Sequence, residues 1–137
     1  MVGLVVASHG RLADELVATA RQIVGDLPRI ATLSVEPQSS PDEIRNRMRE
    51  AVKSVDDGEG VLVFADLIGG SPCTQGLSLC QQARIEVVTG VNLPMLLKAN
   101  SLRTEVSLRD LAHQLAQYGQ KNITCASELL RARAPAA

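Results

Sequence analysis

Two polar side chains stand at the ends of the two most apolar segments of this chain. His9 comes just after the apolar run 2–7, and Asp66 directly follows the run 60–65. Imidazole titrates near neutral pH, so a histidine at such a position can act as an acid, a base, a nucleophile or a ligand. A carboxylate that accepts a hydrogen bond from one ring nitrogen leaves the other nitrogen as the nucleophile. If the two runs are neighbouring strands, the pair predicts an oriented nucleophile. Taken separately, they could be a bystander histidine and a turn aspartate.

A glycine-rich turn follows Asp66 and contains Gly69, Gly70 and Ser71. Flexible glycines, a hydroxyl and the amino end of a predicted helix suit an anionic phosphoryl group, because backbone N–H groups can bind its oxygens. The lysine and the spacing of a P-loop are absent, so the turn does not predict nucleotide binding, and it could be an ordinary capped turn. Asn92, in a later loop, could hold a phosphoryl oxygen, hold a neighbouring loop or form a turn.

Composition excludes several classes of protein. The chain has 137 residues, of which 14 are basic and 15 acidic, so it offers no electrostatic footprint for nucleic acid or an anionic membrane. It shows neither a signal segment nor an apolar run of about 18 residues, and we expect it in the cytosol. Cys73, Cys80 and Cys125 lack the paired spacing of a zinc site or redox dithiol, and are expected as buried or half-buried thiols. We expect His113 on the surface of the last helix.

The apolar pattern predicts four strands that alternate with helices. The runs 2–7 and 60–65 are the first and third strands, and the second and fourth strands are predicted at 30–35 and 85–89. The predicted helices begin at Leu12 with a closing Gly25, at Ser40 with Pro41 and Glu43, at Ser71 as cap with an end near 83, at Pro94 with an end near 100, and at Ser107 with a closing Gly119.

Strands and helices at this spacing predict an α/β fold: one doubly wound, mainly parallel sheet of about four strands with helices on both faces. The loops that follow parallel strands gather at the carboxyl edge of the sheet, which is where we expect His9, Asp66 and Asn92. Residues 1–137 are predicted to form a single domain, with a core at 1–119 and an arm and tail at 120–137. Within that arm, 121–126 has strand propensity and could add to a sheet edge of this subunit or another.

Three stretches of the chain resemble the IIA component of the mannose family of the bacterial phosphoenolpyruvate-dependent sugar phosphotransferase system. They are GLVVASHG at 3–10, VLVFADLIGGSP at 61–72 and VTGVNLPMLL at 88–97. Their order and spacing make the resemblance specific, and it covers nearly the whole chain.

The resemblance implies a phosphocarrier. Because imidazole is both a good nucleophile and a good leaving group for phosphoryl transfer, we expect no cofactor and no metal. In that family the histidine matching His9 accepts a phosphoryl group from the phosphohistidine of HPr and passes it to a IIB component. Asp66 matches the carboxylate that orients the histidine, and the glycine turn with Ser71 matches the loop around the phosphoryl group. The resemblance also implies a homodimer in which a C-terminal strand is exchanged onto the partner's sheet.

Departures from the family pattern leave alternatives open. Cys73 stands where the family commonly has Phe, and Thr74-Gln75 replaces the usual Asn-Ala, which is expected to change the rim that faces a partner. No IIB domain follows in this chain, so a stand-alone regulator controlled by phosphorylation is the second hypothesis. A third is a small metal chelatase with His9 as ligand, against which stands the shortage of further histidines, since His113 is the one other.

Overall fold

A parallel sheet of four strands forms the centre of the molecule. The computed structural model describes residues 1–67, 69–80 and 84–133. The strands are listed in chain order as β1 (Gly3–His9), β2 (Ile30–Val35), β3 (Val61–Ala65) and β4 (Ile85–Val88). Their order across the sheet is β2-β1-β3-β4, and every pairing is parallel. The predicted α/β fold is therefore confirmed, and β1 and β3 are neighbours in the middle of the sheet.

Helices cover both faces of the sheet. They are α1 (Leu12–Val24), α2 (Pro41–Val55), α3 (Ser71–Leu79), α4 (Leu93–Leu102), α5 (Leu108–Lys121) and α6 (Ala126–Arg133). Successive strand residues point to opposite faces. Leu4 and Val6 of β1 therefore join the core under α1, α4 and α5, while Val5 and Ala7 join the core under α2 and α3. Among the helices described, none is long and apolar enough to cross a membrane.

Most helix starts lie where the sequence predicts them. The Ser40 hydroxyl accepts the N–H of Glu43 at 3.2 Å at the start of α2, and Ser107 caps α5 in the same way. The prediction that Ser71 caps α3 is wrong, because Gly70 is the capping residue and Ser71 is the first helical one. Helix α3 is described to Leu79, and its predicted end near 83 lies outside the described residues. Helix α4 is three residues longer than predicted, and β4 one residue shorter.

The predicted end of α5 at Gly119 is wrong, since the helix continues to Lys121. Glycine is needed at position 119, inside α5, because α4 passes close by at that point. A methyl group there would lie 2.5 Å from the Met95 sulfur. The glycine is thus required for helix packing, and its resemblance to a terminal cap misleads.

The strand predicted at 121–126 is also wrong for the single chain. Residue 122 lies in a turn and residues 123–125 have no regular secondary structure, after which α6 begins. A strand needs a neighbour for its hydrogen bonds, and here Ile123 is 78% exposed and α6 buries none of its residues. Strand exchange between two copies stays a prediction.

A buried arginine fastens the amino end of β1 to α4 and to the connection before β2. Arg103 is 1% exposed, and its guanidinium donates to the carbonyls of Val2 at 2.8 Å, Pro28 at 2.5 Å and Arg29 at 2.9 Å. Burial, together with the nearby charge of Arg29, lowers the pKa of Arg103 to about 10, so it is still protonated at neutral pH. The side chain thus supplies donors to three carbonyls at this end of the sheet, one of which, that of Arg29, also accepts the N–H of Leu4 at 3.1 Å.

Candidate functional site

His9 is the last residue of β1 and stands at the carboxyl edge of the sheet. The register pairs Ala7 with Ala65, so Asp66 follows β3 directly beside the end of β1. The sequence-based condition for pairing the two residues, that their strands are neighbours, is met. The His9 side chain is 49% exposed and that of Asp66 is 10% exposed. The site thus consists of an accessible imidazole backed by a largely buried carboxylate.

One carboxylate oxygen holds His9 at two points. Oδ2 of Asp66 accepts the backbone N–H of His9 at 2.9 Å and lies 2.8 Å from Nδ1 of the ring. An ionised carboxylate can only accept hydrogen bonds, so Nδ1 carries the proton in this contact. The lone pair then belongs to Nε2, on the far side of the ring. The geometry leaves Nε2 available as a nucleophile.

Asp66 stays ionised in this position. Burial by itself would raise the pKa of the carboxyl, but the backbone N–H of His9, the His9 ring and the backbone N–H of Leu67 together outweigh it, so the pKa lies below its usual value. Oδ1 of Asp66 accepts that Leu67 N–H at 2.9 Å. The negative charge is therefore in place at neutral pH, next to the ring.

The glycine turn touches the imidazole. A methyl group on Gly70 would lie 2.8 Å from Cε1 of His9 and 3.5 Å from Nε2. Gly70 has φ −78° and ψ 165°, an ordinary extended conformation, so closeness to the ring and not backbone strain favours glycine. Gly69 has φ +80°, in the left-handed region that glycine adopts readily. The turn and the amino end of α3 therefore lie against the edge of the ring that carries Nε2.

A groove of about 510 Å³ opens beside His9. Among the described residues it is lined by His9, Gly10, Val35, Glu36, Pro37, Ser39, Ile44 and Ser71. Ser71 thus comes to the site together with His9, as the sequence predicts. The segment 36–39 was missed by the sequence reasoning, although it follows β2, the other neighbour of β1. The rule that loops after parallel strands gather at one edge would have found it.

The Asn92 side chain caps helix α4. Its Oδ1 accepts the N–H of Met95 at 3.1 Å as the cap of α4, and its Nδ2 donates to the carbonyl of Gly119 at 3.2 Å. Both polar atoms are thus bonded to backbone, and the side chain faces a different groove, between β4 and α5. Its role toward a phosphoryl group stays a prediction, which would use the second N–H of Nδ2.

The remaining candidates do not line the groove beside His9. Cys73 is buried and Cys80 half-buried, as expected, whereas the expectation for Cys125 is wrong because it is exposed. His113 is exposed on α5, as predicted. In the described residues, no group of three or more His, Cys, Asp or Glu side chains could hold a metal ion.

The chain matches the family described as PTS system fructose IIA component over residues 3–116. It is similar to the PTS system fructose-specific EIIA component of Bacillus subtilis, with 26% identity over 95% of this chain and 90% of that protein. It is also similar to the transcriptional regulatory protein LevR of the same organism, with 33% identity over 67% of this chain and 9% of that protein. Among solved structures, the mannose/sorbose specific IIA subunit from Enterococcus faecalis superposes with a TM-score of 0.81 and 31% identity, covering 90% of this chain and 92% of that one.

Proposed function

This chain belongs to the IIA components of the phosphoenolpyruvate-dependent sugar phosphotransferase system, and on that premise we propose that it carries a phosphoryl group on His9. In this proposal His9 receives the group from phospho-HPr in the cytosol and passes it to a IIB component during sugar uptake. The observation that carries the proposal is the 2.8 Å contact between Oδ2 of Asp66 and Nδ1 of His9. It directs the lone pair of Nε2 outward, where a partner protein can reach it.

The transfer can be written with this chain's own atoms. Nε2 of His9 attacks the phosphorus of the donor phosphohistidine, a new N–P bond forms, and the N–P bond of the donor breaks. The proton on Nδ1 stays where it is, so the ring becomes positively charged as the bond forms. The carboxylate of Asp66, already ionised, stabilises that charge without reorganisation. The same steps in reverse deliver the group to the IIB component.

The turn beside the ring would hold the phosphoryl oxygens. Gly69, Gly70 and Ser71 lead into α3, where the N–H groups of the first turn have no partner within the helix and the helix dipole is positive. Gly70 lies against the edge of the ring near Nε2, so a phosphoryl group on that nitrogen would lie close to these donors. The Ser71 side chain, which lines the groove with His9, would add a hydroxyl donor.

The decisive experiment is phosphorylation in vitro. Incubation with phosphoenolpyruvate, enzyme I and HPr should place a phosphoryl group on the protein that is labile in acid and stable in base. His9→Ala should abolish the labelling, whereas His113→Ala, which replaces the other histidine of the chain, should leave it intact. Labelling that survives in His9→Ala, or no labelling of the native protein from any HPr, would contradict the carrier proposal.

A regulatory role is the second candidate function. It is favoured by the similarity to LevR, a transcriptional regulatory protein that contains a similar sequence within a much longer chain. Both roles require phosphorylation of His9 and differ in what happens next. Transfer from the phosphorylated protein to a IIB component would support the carrier. Retention of the group in the presence of IIB, with binding to a regulator that depends on it, would support the second role.

We also propose that the protein is a homodimer. Among the described strands β4 is an edge strand, whose outer backbone groups can pair with another strand. A groove of about 590 Å³ runs beside it, between β4 and α5, and Ile123 is one of its lining residues. The exposed arm after α5 would fit this edge in a second copy. Sedimentation of the full chain should show a dimer and that of a chain ending at Asn122 a monomer, whereas a monomeric full chain would contradict the proposal.

A further inference from the structure

Helix α1 begins immediately after the His9 turn, yet its own capping residue provides no cap. Arg11 occupies the capping position and makes no side-chain hydrogen bond to the helix. The first N–H groups of a helix have no partner within it and need an outside acceptor. At the second residue of the helix, Ala13, that acceptor is the hydroxyl of Ser8, at 2.7 Å. A residue of the preceding strand therefore supplies the cap that the turn itself lacks.

Ser8 and His9 point to opposite faces of the sheet. Ser8 has the same orientation as Leu4 and Val6, toward α1, and is fully buried. His9 lies toward α3, where its ring meets Gly70. The peptide unit that joins Ser8 to His9 is thus held from two sides. Ser8 fastens it to α1, and the His9 N–H fastens it to Asp66 at 2.9 Å.

We propose that Ser8 is a positioning residue for His9. The bond from Ala13 closes the turn 9–12, so the end of β1 and the start of α1 move as one unit. With the turn closed, the imidazole is held at the distance from Asp66 that keeps the proton on Nδ1. Without the Ser8 hydroxyl, the Ala13 N–H has no acceptor in this buried position, and the turn must shift to bring that group to water. This inference rests on the proposed phosphoryl transfer, which the shift would slow.

The alternative is that Ser8 is an ordinary helix cap, important for stability alone. Ser107 offers a matched control, because its hydroxyl caps α5 by accepting the N–H of Asp110 at 3.3 Å. Ser107 is followed by Leu108, whose side chain lies against Gly60 just before β3 begins. This cap is therefore at the amino ends of the strands, whereas His9 is at their carboxyl ends. Ser8→Ala and Ser107→Ala each remove one serine cap, and the thermal unfolding midpoint of each variant measures the loss of stability.

Two readouts separate positioning from stability. Nitrogen NMR of the ring reports the tautomer of His9 and needs no partner protein. Single-turnover labelling with phospho-HPr reports the rate of phosphoryl acceptance. We expect Ser8→Ala to populate the Nε2–H tautomer and to slow acceptance about tenfold. We expect Ser107→Ala to lower the unfolding midpoint while tautomer and rate stay as in the native protein, and Ser8→Thr, which keeps a hydroxyl, to retain the native tautomer.

The inference is overturned if Ser8→Ala keeps both the native tautomer and the native rate, or if Ser107→Ala changes them equally. If Ser8→Ala does not fold, Ser8→Cys is measured instead, since a thiol fills the site but accepts hydrogen bonds weakly. It should shift the tautomer in the same direction, and a native tautomer in that variant contradicts the inference. A native protein that takes up no label refutes the proposed function, whereas the tautomer measurement still tests the role of Ser8.

Discussion

Replacement of Gly70 by alanine should disable the site while leaving the fold intact. The backbone of Gly70 is extended, a conformation that alanine adopts without strain. The methyl group, however, would lie 2.8 Å from Cε1 of His9, and carbon atoms in contact normally keep about 3.5–4.0 Å. The ring must therefore move by about 0.7 Å or more, away from the turn.

The cost of that movement follows from the contact with Asp66. Nδ1 of His9 lies 2.8 Å from Oδ2, and a displacement of this size would stretch that distance to as much as about 3.5 Å if it is directed along the bond, and would misalign the bond otherwise. A hydrogen bond to a charged group contributes about 1.5–3 kcal/mol. Because about 1.4 kcal/mol corresponds to a factor of ten in rate, Gly70→Ala should slow phosphoryl acceptance about tenfold to a hundredfold.

The assay is single-turnover transfer from radiolabelled phospho-HPr, followed by rapid quenching. Gly76→Ala provides the control, since Gly76 lies in α3, the helix that Gly70 precedes, and a methyl group there would meet Val87 at 3.2 Å, not the histidine. The control should retain the native rate within about twofold. If Gly70→Ala is folded and accepts the group as fast as the native protein, the argument that this glycine sets the position of the ring is refuted.

Further predictions concern the carboxylate and the buried arginine. Asp66→Asn should slow transfer at least about tenfold, because the amide carries no charge to stabilise the ring as it becomes positive; an unchanged rate would remove Asp66 from the mechanism. Since the pKa of Asp66 is lower in the folded chain than its usual value of about 4, its contribution to stability is present above that value and lost as the pH falls through the lower folded-state pKa. Urea unfolding should therefore show a steeper loss of stability on acidification for the native protein than for Asp66→Asn, and parallel curves would contradict this. Arg103→Met should lower the free energy of unfolding by about 3 kcal/mol, because three carbonyls each lose one donor, although the Arg29 carbonyl keeps another, the N–H of Leu4; a loss within the error of a urea titration would show that water replaces the guanidinium.

Much of the fold could be predicted because local pattern and tertiary packing agree. The continuous apolar runs at β1 and β3 are buried on both faces, and the caps at Ser40 and Ser107 lie where predicted. Predictions failed where the outcome depends on a neighbouring segment and not on the local sequence. Gly119 resembles a helix terminator but is required by the approach of Met95, and the strand propensity of 121–126 has no partner strand in one chain.

The sequence predicts which residues could form the candidate site and what chemistry suits them, but not the distances between those residues. Apolar runs that end in His9 and Asp66 indicate a pair only if the two strands are adjacent, and strand order depends on the whole fold. The contact between Gly70 and the ring, and the cap that Ser8 provides, are set by packing across the turn and carry no signature in the sequence.

The exposure of His9 limits how two proteins could use it in the proposed transfer. Asp66 contacts the ring at Nδ1 and Gly70 lies against the edge that carries Nε2, so both restrict the directions from which a protein can approach that nitrogen. If His9 carries the phosphoryl group as proposed, its donor and its acceptor would approach Nε2 over the same surface. They would then bind in turn, each leaving before the other arrives, and an unphosphorylated donor would compete with the acceptor for the phosphorylated chain.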